Sequence, residues 1–353
     1  MKICMVVPDT DVKGGIASVV NGYRSFDFGE QYQITYVESY RNGSKIQKLL
    51  KALNGYRLFW KELKQDKPDI VHVHSSFGPS FYRKIPFIYI SSWKKIPVIN
   101  HIHGAEFDTF YEKASPRKKK LIAKVYHKCQ MLIALSDEWK DHLKQIVPEE
   151  NICIIENYCR IPEMIEIEKK KQVLFLGEIG KRKGCFDIPR ICEKAFDAEG
   201  AVPVILAGDG DTDQVKDLLK KKEFGKSVQF PGWIRGDVKD RLLRESAIFL
   251  FPSYHEGMPM AVLEAMAYGM AIVTTRVGGI PKLIEHEVSG FLHEPGDVEG
   301  MADSLARLLS DEEKRKKMGM AARQKAVQCY SMERHVEKLL KLYDIVFDQD
   351  RNG

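Results

Sequence analysis

The chain has 353 residues, 44% hydrophobic and 29% charged, with a net charge of +6. Its length exceeds one hydrophobic core and makes two domains the expectation, while the composition excludes low-complexity or short-period repeat architectures. Seven scattered cysteines (4, 129, 153, 159, 185, 192, 329) show no CxxC pairing, so they read as reduced cytoplasmic thiols rather than a disulfide frame or zinc site.

The opening run KICMVV is too short for a secretion signal or a membrane span. Ile3 to Val7 reads as a strand, and GGIASVV after it as a glycine turn opening a helix. ITYVES, DIVHVHS, PVINHIHG, MLIALS and ICIIENY are further strands with helical patterns between them. Ile85 to Trp93, bracketed by Arg83, Lys84, Lys94 and Lys95, reads as a buried element or a lipid-touching surface. A charged, proline-containing segment from Arg160 to Lys171 reads as a linker. A second series follows: QVLFLGEIG, VPVILAGDG, SVQFPGW, AIFLFPS and AIVTT, again with helices between. Alternation of this kind predicts two doubly wound parallel-sheet domains. The expected division is 1–160, 161–332 and a terminal helix, 333–353, packing back on the first domain.

The excess positive charge lies in the first half. From Ser44 to Lys64, basic residues interleave with Leu49, Leu50, Leu53, Tyr56, Phe59 and Trp60, and helical spacing sorts them into a basic and an apolar face. One reading is a solvated helix packed on its own core; the sharper one is a helix against anionic lipid or a charged lipid-linked substrate. No nucleic-acid motif accompanies the charge.

Ligands of such sheets bind beyond the carboxyl ends of the strands. Gly14 and Gly15 stand there, before a helix whose first amides suit a phosphate. The spacing is not GxGxxG, which argues against a dehydrogenase. GEIGKRKG, Gly177 to Gly184, puts Lys181, Arg182 and Lys183 in one turn, a fit for a diphosphate. His103 ends a strand beside Gly104, two residues after His101 and on its face, with Glu106 and Asp108 following, and faces a polar cleft; His72 and His74 read as structural or acceptor-side residues. Glu264 is the only charge between Gly257 and Thr275, so its carboxylate requires a distant backbone donor, a distant basic side chain or a ligand hydroxyl. Glu256 stands in the loop before that helix, where Pro259 leaves the amides of Gly257 and Met258 at the entrance. Along the chain the two carboxylates fall on the order of 10 Å apart, which suits hydroxyls at the two ends of a sugar nucleotide.

In order and spacing, GGI at Gly14, HG at His103, GEIGKRKG, AGDG at Ala207, FPGW at Phe230, Glu256 with Glu264, and GGIP at Gly278 resemble a retaining glycosyltransferase of family 4. The resemblance covers essentially the whole chain. It implies the GT-B architecture, two facing Rossmann-like domains with a cleft between them. Glu256 would stabilise an oxocarbenium-like transition state, Lys183 would neutralise the departing diphosphate, and His103 would sit beside the donor sugar. Gly14, Gly15, Arg182, Ile234, Gly257, Met258, Pro259 and Glu264 would complete the donor site, with Glu264 on the ribose. The family often has arginine where this chain has Glu178, which passes that role to Arg182. No metal is expected, because Lys183 and helix amides supply the counter-charge a metal would give, and no cofactor, because the nucleotide sugar is itself a substrate. The implied acceptor is a carbohydrate or polyprenyl-linked oligosaccharide, received by the basic first domain at the inner face of the membrane. The alternatives are a sugar-nucleotide epimerase of similar architecture and an inactive carbohydrate-binding or partner subunit.

Overall fold

In the computed structural model, the described residues are 1–104, 107–163 and 168–352. The chain divides into two compact units, Met1–Asn157 with Met332–Gly353, and Tyr158–Ser331. Glu106 of the sequence reading lies outside the described residues, as does the middle of the Arg160–Lys171 segment and the side chain of Asp108.

The first unit carries strands β1 (Lys2–Val7), β2 (Gln33–Glu38), β3 (Ile70–Ser75), β4 (Val98–Ile102), β5 (Met131–Ala134) and β6 (Ile152–Ile154). All pairings are parallel, in the order β2-β1-β3-β4-β5-β6. Helices α1 (Gly15–Ser25), α2 (Lys45–Gln65), α3 (Pro79–Trp93), α4 (Pro116–Tyr126) and α5 (Asp137–Lys144) connect them. Strands β1, β3, β4 and β5 are almost wholly buried, as near-continuous apolar runs require when helices cover both faces. The segment Ile85–Trp93 lies within α3, where Phe87, Ile88 and Ser91 are buried and Trp93 is exposed.

The second unit repeats the plan with β7 (Lys170–Leu176), β8 (Val204–Ala207), β9 (Val228–Gln229), β10 (Ser246–Phe251), β11 (Ala271–Thr275) and β12 (Phe291–His293), ordered β12-β11-β10-β7-β8-β9. Its helices are α6 (Ile188–Glu199), α7 (Thr212–Leu219), α8 (Gly236–Glu245), α9 (Met260–Ala267), α10 (Ile280–Leu283), α11 (Val298–Ser310) and α12 (Glu312–Cys329). The terminal helix α13 (Met332–Asn352) returns to the first unit. There Tyr343 and His335 are buried, the Tyr343 hydroxyl 2.6 Å from His72 Nδ1 and His335 Nδ1 2.6 Å from the Glu156 carbonyl. Among the described residues, no helix is long and apolar enough to cross a membrane, and all seven cysteines are free.

Candidate active site

Three loops at the carboxyl ends of β7, β10 and β11 build the centre of the second unit. After β7 the chain makes a tight turn at Lys181–Lys183 that ends on Gly184 in the left-handed region, φ +68°. A β-carbon on Gly184 would lie 1.9 Å from the Pro252 carbonyl, so only glycine lets this turn seat on the loop after β10. The seat is hydrogen-bonded: the Tyr254 amide donates to the Arg182 carbonyl at 2.9 Å, and the Ser253 hydroxyl oxygen lies 3.1 Å from the same carbonyl. On the other side, Gly278 (φ +54°) leaves no room for a β-carbon against the Glu256 carbonyl, 2.0 Å away, and the Gly279 amide donates to Gly257 at 2.6 Å. The motifs KRKG, PSYHEG and GGIP thus form one packed unit.

Its product is an ion pair. Lys183 Nζ lies 2.6 Å from Glu256 Oε1, and the Ser253 hydroxyl donates to the same oxygen at 2.6 Å. Glu256 is 7% exposed, and the Lys183 ammonium also stands 4.7 Å over the Phe251 ring. Arg182 turns toward this pair: its guanidinium is 3.8 Å from Glu256 and donates to the His255 carbonyl at 3.1 Å. It also reaches the exposed Glu178 at 3.4 Å, which offsets part of its charge. A cavity of 420 Å³ opens beside Arg182, lined in part by Lys181, Phe186, Asp187, Tyr254 and His255. It flanks the Lys183–Glu256 pair rather than enclosing it.

Glu264 lies on α9, whose neighbours Val262, Leu263, Ala265, Met266 and Ala267 are buried. Of the partners left open by the sequence, the distant basic side chain is the one present: Lys239 of α8 meets Glu264 Oε1 at 2.5 Å. Both remain partly exposed, 28% and 20%, so a ligand hydroxyl can still approach the carboxylate. Lys239 and Ser253 escaped the sequence reading. Ser253, three residues before Glu256, carried a local signal; Lys239, on another helix, carried none. Gly257, Met258 and Pro259 are buried between Glu256 and α9, and partly buried Ile234 precedes α8.

In the first unit Gly14, at φ +128°, caps α1 and Gly15 opens it, directly beyond β1. His103 follows β4, its amide donating to the Ser75 carbonyl at 2.9 Å and its Nε2 3.0 Å from His74 Nδ1. Behind it His72, His74 and His101 form a buried group of rings with centroids 4.4 to 5.7 Å apart. Burial, reinforced by neighbouring histidines, lowers His72 and His103 to about 3 and holds His74 and His101 well below the usual range. These imidazoles are neutral at ordinary pH, so His103 acts as a hydrogen-bonding group, not a cation.

Residues 160–325 match the family described as glycosyl transferases group 1, and residues 19–158 match glycosyltransferase family 4. The chain is 27% identical to N-acetyl-alpha-D-glucosaminyl L-malate synthase of Bacillus anthracis, over 81% of this chain and 77% of that protein. It is also 27% identical to the UDP-Gal:alpha-D-GlcNAc-diphosphoundecaprenol alpha-1,3-galactosyltransferase of Escherichia coli, over 84% of this chain and 80% of the relative. The crystal structure of Anabaena Alr3699/HepE in complex with UDP shares the fold, with a TM-score of 0.75 at 18% identity, covering 98% of this chain and 100% of that one. The two family matches run nearly end to end along the two parallel-sheet units, and the chain belongs to the GT-B glycosyltransferases of group 1 and family 4.

Proposed function

We propose that the protein is a retaining glycosyltransferase that works without a metal and moves a sugar from a nucleotide sugar, UDP-linked in preference to GDP-linked. Its acceptor is a carbohydrate or polyprenyl-linked oligosaccharide of cell-surface polysaccharide synthesis, reached from the cytoplasm at the inner membrane face. The observation that carries this reading is the Lys183–Glu256 pair held at 2.6 Å beside Arg182. Lys183 and Arg182 supply cationic charge for a leaving diphosphate, the role a metal takes elsewhere. Glu256, fixed by Ser253, is preorganised to stabilise positive charge developing at the sugar. The names of the relatives, one using UDP-Gal on a diphosphoundecaprenol acceptor, support the choice of donor and acceptor class. His103 and the Gly14–Gly15 turn take the neutral sugar-facing and phosphate-facing roles of the first unit.

Glu264 has the role of binding ribose hydroxyls, with Lys239 as the partner that holds the carboxylate in place. Glu264→Ala is expected to weaken nucleotide-sugar binding by about tenfold or more, with a smaller effect on kcat. Lys239→Ala, which leaves the carboxylate exposed to water, is expected to weaken it by only severalfold. Titration of UDP-, GDP-, ADP- and TDP-sugars into the three proteins, in the presence of a chelator, measures both. Unchanged donor affinity in Glu264→Ala removes the ribose assignment, and epimerised donor without nucleotide release supports the epimerase instead.

A further inference from the structure

We propose that the exposed face of α2, together with the corner formed by Trp60, Trp93 and Lys94, is a docking surface for an anionic lipid bilayer; the inference rests on the membrane-side acceptor proposed above. Helix α2 starts from a capping box in which the Ser44 hydroxyl accepts from the Gln47 amide and the Gln47 side chain accepts from the Ser44 amide. It then carries two apolar stripes. Ala52, Gly55, Phe59 and Leu63 are buried against the first unit. Ile46, Leu49, Leu50 and Leu53, spaced i, i+3, i+4 and i+7, are 71%, 60%, 60% and 53% exposed. Core packing therefore accounts for the first stripe only. A monomeric soluble protein seldom keeps so continuous an apolar ridge in water without a partner for it.

Charge and aromatic placement identify the partner. Helix α2 bears six basic residues and a single carboxylate, Glu62. Arg57, Lys61 and Lys64 are exposed along the continuation of the leucine ridge, and Lys45 stands at its start. Where the ridge ends, Trp60 stacks on Trp93 with centroids 6.2 Å apart and planes 10° apart, and Lys94 lies over both rings at 5.3 and 4.5 Å. Trp93 itself is 70% exposed. Leucines to enter the acyl boundary, indoles for the headgroup level and lysines for anionic headgroups make up the pattern of a helix lying in a membrane interface. Self-association through the same face would set the lysines of two copies against each other, which favours the bilayer.

The test is co-sedimentation of the full chain with vesicles of phosphatidylglycerol and phosphatidylcholine, against vesicles of phosphatidylcholine alone. Wild type is expected to sediment with the anionic vesicles, less at high salt, and poorly with the neutral ones. Leu49→Glu/Leu50→Glu is expected to lower the bound fraction about tenfold or more, and Lys61→Gln/Lys64→Gln by about fivefold per lysine removed. UDP-sugar binding, measured in parallel, should be unchanged in both variants. Wild type remaining in the supernatant, or Leu49→Glu/Leu50→Glu binding as wild type does, overturns the proposal. So does a wild-type dimer in light scattering that the leucine variant abolishes without any vesicle binding in wild type. If vesicle binding behaves as expected while no nucleotide sugar binds any of the proteins, the transferase reading fails and the lipid surface stands.

Discussion

Glu256→Gln is expected to lower turnover by about three orders of magnitude while the loops around it stay folded. The amide keeps the volume and can still accept from Ser253 and Lys183, which now contact Glu256 Oε1 at 2.6 Å each. What it loses is negative charge where an oxocarbenium-like centre would develop. Lys183→Ala is expected to reduce activity comparably for a different reason, loss of the cation facing the leaving diphosphate. It should also destabilise the second unit by about 3 kcal/mol, because a 7% exposed carboxylate is left without its partner. The double variant Lys183→Met/Glu256→Gln separates the two effects: thermal stability should return toward wild type while activity stays lost. If activity returns along with stability, the pair is a folding element and not a catalytic one. Turnover of Glu256→Gln within about tenfold of wild type would likewise remove Glu256 from the chemistry.

The second large effect expected is an acid transition centred on the first unit. His72, His74, His101 and His335 are buried at 3% exposure or less, and burial is the leading cause that lowers each of them. His72 is lowered to about 3 and His335 to about 4, from an ordinary value of 6.5. Since the folded values lie below the unfolded one, the unfolded chain binds protons that the native unit refuses. Stability is therefore complete above about 6.5 and is lost as pH falls from there toward the depressed values. Each histidine costs about 1.4 kcal/mol per pH unit in this window, so these four and His103, lowered by the same cause, together cost roughly 7 kcal/mol per unit. That loss is enough to unfold a typical domain near pH 5. Trp60, Trp93 and Trp139 of the first unit report the transition by fluorescence. His101→Phe should reduce the slope by one proton, because among the described residues neither ring nitrogen of His101 has a hydrogen-bond partner. A flat stability profile between pH 6.5 and 5 would contradict the buried neutral histidines.

Much of this organisation was legible in the sequence, because buried parallel strands announce themselves as short, largely apolar runs, several of them ending in glycine, histidine or proline turns. Strands β1 to β11 were each anticipated by a short run of this length. β12, only three residues of FLH at a sheet edge, was not, since a run that short carries no period. The loops were legible for steric reasons: Gly184 and Gly278 meet carbonyl oxygens where no side chain fits. Contacts between helices were less so. The basic residue beside Glu264 was foreseen only as a class, and the structure identifies it as Lys239, 25 positions away. On α2 the helical period separated apolar from basic residues but could not tell which apolar stripe would be covered. Phe59 and Leu63 pack inward, whereas Leu49 and Leu50 do not.

In the proposed reaction the second unit holds a nucleotide sugar with its diphosphate at Lys183 and its reacting sugar at Glu256. The most direct measurement is nucleotide release from a UDP-sugar in chelator, with the anomeric configuration of the product followed by NMR in wild type, Lys183→Ala and Glu256→Gln. Expected are acceptor-dependent release of UDP, a product that keeps the donor's configuration, and loss of both in either variant. Release that requires a divalent metal, an inverted product, or full activity in Lys183→Ala would overturn the proposed reaction.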